Sequence, residues 1–230
     1  MTWIKICGMT NLEDALVAVE AGADAVGFVF YENSPRNVSV EAARRVLENL
    51  PKQVETVGVF AGGSIEDAVK TGREAGFDAL QLYLLTFGGT SSDGLQARGL
   101  RLNGLRAYLA LPVSVFLEGG LKNLDEFARQ RPGGVLDPLF LDSGNAQRPG
   151  GTGRTFNWWE AAEAIEALGR HQKIVIAGGL TPANVVEAIT ILKPWGVDVV
   201  SGVEARPGKK DPEKVRAFIK AVREIDQKTS

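Results

Sequence analysis

The sequence predicts an α/β protein folded as a single (β/α)₈ TIM barrel over residues 1–230, with an atypical segment around the fourth and fifth βα units. Three observations predict it. Short apolar, β-branched runs alternate with amphipathic stretches along the chain. Those runs place apolar residues on successive positions, as parallel strands covered on both faces require. Finally, 230 residues divided by eight give about 29 per unit, close to a compact βα repeat.

Residues 3–7 read as the first strand. Asn11 can cap a helix over 12–21, because its side-chain oxygen can accept an orphan backbone N–H, and Gly22 can close it in the left-handed conformation. Residues 25–30 form the next strand, Ser39 caps a helix to residue 50, and 56–60 is a strand. Ser64 caps a helix to Ala75, Gly76 closes it, and 79–82 is the fourth strand. Residues 83–113 are rich in Gly, Leu and Arg with Asp93 as the sole acid; a helix within 95–109 and a strand over 113–117 would complete this part of the barrel. Beyond it come a short helix from Asn123, a buried strand over 139–142, a helix over 158–168 and a strand over 173–177. Thr181 with Pro182 starts a helix to Leu192, 197–201 is a strand, and Asp211 with Pro212 opens the last helix.

Composition narrows the function. With 26 Lys+Arg against 28 Asp+Glu the formal charge is −2, so no polycationic surface for nucleic acid or anionic lipid is expected. One cysteine, Cys7, and one histidine, His171, exclude an internal disulfide and the usual Cys/His zinc cage. The first residues turn polar too soon for a signal peptide, and no run of 18 apolar residues occurs. A cytoplasmic protein with a small-molecule partner, no metal and no cofactor is the expectation.

In such a barrel the loops after the strands build the site. Residues 150–153, Gly178-Gly179 and Ser201-Gly202 are three glycine-rich segments late in the chain, just before helices. Glycine lets backbone N–H groups approach an anion and helix N-termini add positive potential, so phosphate is the expected guest over three simple tight turns. Cys7 alone would read as a small buried hydrophobe. Asp142, ending an apolar strand, costs desolvation unless paired or used. Together they could serve as base and acid, provided the thiol pKa is lowered toward neutrality. Arg36 reads first as a solvated loop arginine, with a carboxylate clamp as its functional alternative. His171 reads as a surface residue, and Trp158 and Trp159 as anchors of a helix.

The run Lys5-Ile6-Cys7-Gly8-Met9-Thr10, followed by Ala23-Asp24-Ala25-Val26-Gly27-Phe28, resembles the phosphoribosylanthranilate isomerase family of tryptophan biosynthesis. Phe140-Leu141-Asp142-Ser143, Gly150-Gly151-Thr152-Gly153, Ala177-Gly178-Gly179-Leu180-Thr181-Pro182 and Ser201-Gly202-Val203-Glu204 agree in order and spacing, over residues 1–82 and about 137–225. The resemblance implies a cofactor-free Amadori rearrangement of N-(5-phosphoribosyl)anthranilate. It also implies Asp142 as acid, Cys7 as base, Arg36 as clamp on the anthranilate carboxylate, and Asp198 as a residue that helps hold the substrate. Gly153, Gly178, Gly179, Ser201 and Gly202 would cradle the phosphate. A monomer and a homodimer are equally compatible with it. The chain departs from the family at Gln81-Leu82-Tyr83-Leu84, where Gln-Leu-His-Gly is usual, at Val200, where serine is usual, and through residues 83–136. Another phosphosugar barrel enzyme, such as an indole-glycerol-phosphate synthase, and a catalytically impaired phosphate-binding barrel stand as alternatives.

Overall fold

The computed structural model describes residues 1–83, 104–114, 117, 138–144, 153 and 155–229. Eight strands close into a barrel in chain order: β1 (Trp3–Cys7), β2 (Ala25–Phe30), β3 (Glu55–Phe60), β4 (Ala79–Tyr83), β5 (Arg106–Pro112), β6 (Leu139–Asp142), β7 (Ile174–Ile176) and β8 (Gly196–Val199). Every neighbouring pair is parallel, and β8 returns to β1. The described helices are α1 (Leu12–Glu20), α2 (Val40–Leu47), α3 (Ile65–Ala75), α4 (Trp158–Gly169), α5 (Val185–Leu192) and α6 (Pro212–Thr229). A two-stranded antiparallel hairpin, β9 (Glu204–Arg206) and β10 (Lys209–Lys210), stands after β8.

The uninterrupted apolar runs have a simple cause. Alternate strand residues point into the barrel, where Ala25, Val57, Val59, Ala79, Tyr108, Ala110, Phe140 and Val175 form one buried cluster. Their neighbours Ile4, Ile6, Val26, Phe28, Leu80, Leu109, Leu141 and Val197 point outward into the layer beneath the helices. Both faces are dry, so strict polar alternation disappears.

Helix starts follow the chemistry of their caps. Asn11, Ser39, Ser64 and Asn157 each accept a backbone N–H from the first turn. Gly76 ends α3 at φ 87°, which a Cβ would strain.

Three boundaries differ from expectation by three residues or more, the others by no more than two. The fifth strand runs over Arg106–Pro112, not 113–117, so the expected helix cannot extend to residue 109. Its Ala and Leu residues favour helix in isolation. Here Tyr108 and Ala110 fill the barrel while Leu109 and Leu111 pack outward, and barrel closure overrides propensity. α5 begins at Val185 rather than Thr181, because Asn184 accepts the Thr181 N–H and donates to the Gly179 carbonyl, holding 181–184 as a turn. α2 stops at Leu47, three residues early. The expected helix from Asn123 lies outside the described residues.

Candidate active site

The first group of site residues comes from β1 and β8. Lys5 and Asp198 sit opposite each other in the strand register, and Lys5 Nζ donates to Asp198 Oδ1 at 3.0 Å. Both are buried, Lys5 completely. Burial alone would discharge the lysine, but the Asp198 carboxylate, with Cys7 beside it, reverses this and holds the ammonium charged. Burial pushes the Asp198 carboxyl up while Lys5 and Lys210 oppose the rise; it stays ionised because a neutral carboxyl would leave a fully buried ammonium without its counter-charge. Gly27 makes the room: a Cβ there would stand 2.7 Å from Cys7 Sγ and 2.9 Å from Lys5 Cε.

Cys7 is free and buried at the end of β1. The sequence reading required its pKa to fall toward neutrality. Instead burial pushes the thiol up, and the opposing pull of Lys5 does not overcome it. Lys5 is the residue that sequence reasoning undervalued. Two positions before the thiol on a strand, it shares the thiol's face, and that period of two was the available signal.

The second group comes from β6 and β4. Asp142 ends β6 almost fully buried, with the Gly144 N–H donating to Oδ1 at 2.6 Å and the Tyr83 hydroxyl donating to Oδ2 at 3.2 Å. Burial raises its pKa to about 6; the Asp198 charge adds to the rise, while the Gly144 N–H, Tyr83 and Lys5 restrain it. At neutral pH the free site therefore rests with the thiol protonated and Asp142 largely ionised. Acid/base chemistry needs the opposite arrangement.

Arg36 is not the solvated arginine of the first sequence reading. It is buried, and its fork meets Glu204, Nε to Oε1 at 2.8 Å and Nη2 to Oε2 at 2.7 Å. Lys210, fully buried, reaches the same carboxylate at 3.3 Å. Burial would raise Glu204, but Arg36 and Lys210 bring it below the usual range. Gly8 lets the arginine cross the end of β1, since a Cβ there would lie 2.8 Å from Arg36 Cδ. Two cations against one carboxylate leave a local positive charge, suited to an incoming anion. No local spacing reveals that Glu204 returns to Arg36.

The late glycine loops do converge. A Cβ on Gly153 would lie 3.7 Å from Ser201 Oγ, one on Gly202 would strike the Leu180 carbonyl, and one on Gly178 would strike Ser143. The loops after β6, β7 and β8 thus touch at the mouth, with Gly178 and Gly179 both at positive φ. Ser201 and Gly202 lie in a 3-10 turn rather than at the end of an extended strand. Residues 150–152 lie outside the described residues.

His171 is exposed between α4 and β7, as expected. Trp158 anchors α4, being 8% exposed, whereas Trp159 is 74% exposed and anchors nothing. The helix turns adjacent positions by about 100°, so only one of the pair can face the barrel. Among the described residues no group of His, Cys, Asp and Glu could hold a metal, and no helix is long and apolar enough to cross a membrane.

An eight-stranded parallel barrel with a thiol, a carboxyl and a buried ion pair at its C-terminal mouth, next to three touching glycine loops, belongs to the barrel enzymes that carry acid/base sites on strand ends. The family model for N-(5'-phosphoribosyl)anthranilate (PRA) isomerase matches residues 4–84 and 103–221, and the chain belongs to that family. The match resumes at residue 103, so it covers much of the segment where the sequence reading found no resemblance. The N-(5'-phosphoribosyl)anthranilate isomerase of Geotalea uraniireducens is 41% identical over 220 residues, covering 96% of this chain and 98% of that one. That of Trichlorobacter lovleyi is 42% identical over 224 residues, covering 97% and 99%. The crystal structure of phosphoribosyl anthranilate isomerase from Thermotoga maritima superposes with a TM-score of 0.79 at 36% identity, covering 97% of this chain and 100% of that one. A phosphoribosyl anthranilate isomerase in complex with reduced 1-(o-carboxyphenylamino)-1-deoxyribulose 5-phosphate gives a TM-score of 0.75 at 35% identity, with the same coverage.

Proposed function

We propose that the chain catalyses the Amadori rearrangement of N-(5'-phosphoribosyl)anthranilate to 1-(2-carboxyphenylamino)-1-deoxyribulose 5-phosphate in tryptophan biosynthesis, as an intramolecular oxidoreductase of the aldose–ketose type. Asp142 is the general acid and Cys7 the general base. The observation that carries the assignment is the placing of these two groups on interior-facing ends of β6 and β1, with Asp142 poised near pH 6.

Asp142 gives its proton to the ribose ring oxygen as the C1–O bond breaks, and the nitrogen lone pair forms a protonated imine. The Cys7 thiolate then removes the C2 proton; the C2–H bonding pair makes the C1–C2 double bond and the imine pair returns to nitrogen, giving an enolamine. Loss of the C2 hydroxyl proton and protonation at C1 give the aminoketose, with no net proton change. Lys5 supports the thiolate electrostatically, and Asp198 keeps Lys5 in place; this is a more indirect part than the substrate contact implied for Asp198 by resemblance. Arg36, fixed by Glu204, clamps the anthranilate carboxylate. Gly153, Gly178, Gly179, Ser201 and Gly202 offer their backbone N–H groups to the phosphate.

The substrate's fluorescence tests the reading. Its decay should follow added protein and be lost in both Cys7→Ala and Asp142→Asn. Absence of any decay with the unaltered chain would refute it. A cytoplasmic enzyme acting as a monomer or homodimer fits this role; among the solved relatives, the Thermotoga maritima protein is described as dimeric.

A further inference from the structure

We propose that Tyr83 is a positioning residue for the acid of this reaction: its hydroxyl holds one oxygen of Asp142 across the barrel mouth and sets the pH at which that carboxyl takes up its proton. The inference rests on the acid role assigned to Asp142 above. Tyr83 ends β4 and Asp142 ends β6, with β5 between them. In register Tyr83 pairs with Ala110 of β5, and Asp142 with Pro112. Ala110 is the barrel-facing residue there, and its small side chain leaves the phenol a path across the strand to Oδ2.

The two oxygens of Asp142 are thus fixed from opposite sides, Oδ1 by the Gly144 N–H at 2.6 Å and Oδ2 by Tyr83 at 3.2 Å. A carboxyl held at both ends cannot swing away from the substrate. A donor on the ionised form also favours that form, so Tyr83 opposes the rise that burial imposes. Among the described residues, the other groups acting on Asp142 are Lys5 of β1 and Asp198 of β8. Burial, the charges of Asp142 and Asp198 and, once it ionises, the Cys7 thiolate keep the phenol itself protonated well beyond its ordinary range, so it remains a donor throughout the working pH.

The active species carries a proton on Asp142 and a thiolate on Cys7. Because Asp142 is the stronger acid, the fraction in that state is flat between the two pKa values and falls outside them. The acidic limb of kcat/KM then follows Asp142, and the alkaline limb follows Cys7. The test is a carboxyl-carbon NMR titration of the substrate-free enzyme, with the Asp142 signal assigned by its loss in Asp142→Asn, alongside the kcat/KM profile. Tyr83→Phe keeps the ring and loses the donor; it should raise the Asp142 midpoint and the acidic limb together by about one pH unit, leaving the alkaline limb in place. Uniform 3-fluorotyrosine, a stronger donor of nearly unchanged shape, should move the midpoint the other way and serves if Tyr83→Phe does not fold. An unmoved midpoint overturns the proposal, because a ring that merely fills space predicts no shift. Inactive Asp142→Asn with an unmoved Tyr83→Phe midpoint removes Tyr83 alone; active Asp142→Asn removes the acid assignment and this inference with it.

Discussion

Arg36 and Glu204, 168 residues apart, meet fork to carboxylate at the barrel mouth, and Lys210 closes on the same carboxylate from the hairpin. The pairing fixes the guanidinium before any substrate arrives. Arg36→Met should therefore raise KM by about ten- to a hundredfold with a smaller change in kcat, because a clamp on a remote carboxylate acts in ground and transition states alike. Glu204→Ala should be worse for the fold, leaving two buried cations without their counter-charge at a cost of about 3 kcal/mol. Steady-state kinetics and denaturant melts check the two halves.

Lys5 and Asp198 separate stability from chemistry. Lys5→Met strands a buried carboxylate and should cost about 3 kcal/mol, while also moving the alkaline limb upward as the thiolate loses its nearest cation. The double variant Lys5→Met/Asp198→Leu should regain most of that stability but none of the activity. Recovery of turnover in the double variant would show that the ion pair is purely structural.

Asp142 should trade activity for stability. Its pKa is raised from 3.8 to about 6 in the folded chain, so its stabilising contribution is complete below pH 4 and is lost as pH rises through 6. The shift corresponds to about 3 kcal/mol at neutral pH. Asp142→Asn, which never ionises, should melt higher than the unaltered protein at pH 8, lose that advantage near pH 4, and turn over at least ~10²-fold more slowly. Calorimetry across that range reads the sign directly.

The proposed phosphate cradle is better probed at Ser201 than at its glycines. A side chain at Gly202 would collide with the Leu180 carbonyl, so a bulky residue there disturbs the fold as well as any anion. Ser201→Asp places a negative charge beside Gly153 without that collision; it should raise KM at least tenfold, with kcat less affected, and should abolish competition by inorganic phosphate.

Most of the barrel was legible because each junction carries its own punctuation. Asn11, Ser39 and Ser64 cap where their chemistry says they should, and β2, β6 and α3 fall within the expected bounds. The fifth strand was misplaced because its Leu and Ala residues carry a helical preference that only the closed sheet overrules. At the site, Cys7 and Asp142 could be picked out as candidates from their strand ends, but their protonation could not, since burial is a property of the whole barrel. Partnerships were the least legible part. Arg36 with Glu204 and Lys5 with Asp198 join residues 168 and 193 positions apart, and Tyr83 reaches Asp142 only because the barrel brings β4 near β6.

The central claim is that Cys7 and Asp142 together move the protons of one sugar phosphate. The most direct measurement follows the loss of N-(5'-phosphoribosyl)anthranilate fluorescence with Cys7→Ala and Asp142→Asn, with the inhibition constant of inorganic phosphate measured on each. Turnover should fall at least ~10²-fold in both while phosphate binds as before, since neither side chain is among the groups proposed to hold the phosphate. Either variant keeping more than about a tenth of the unaltered rate would contradict the account.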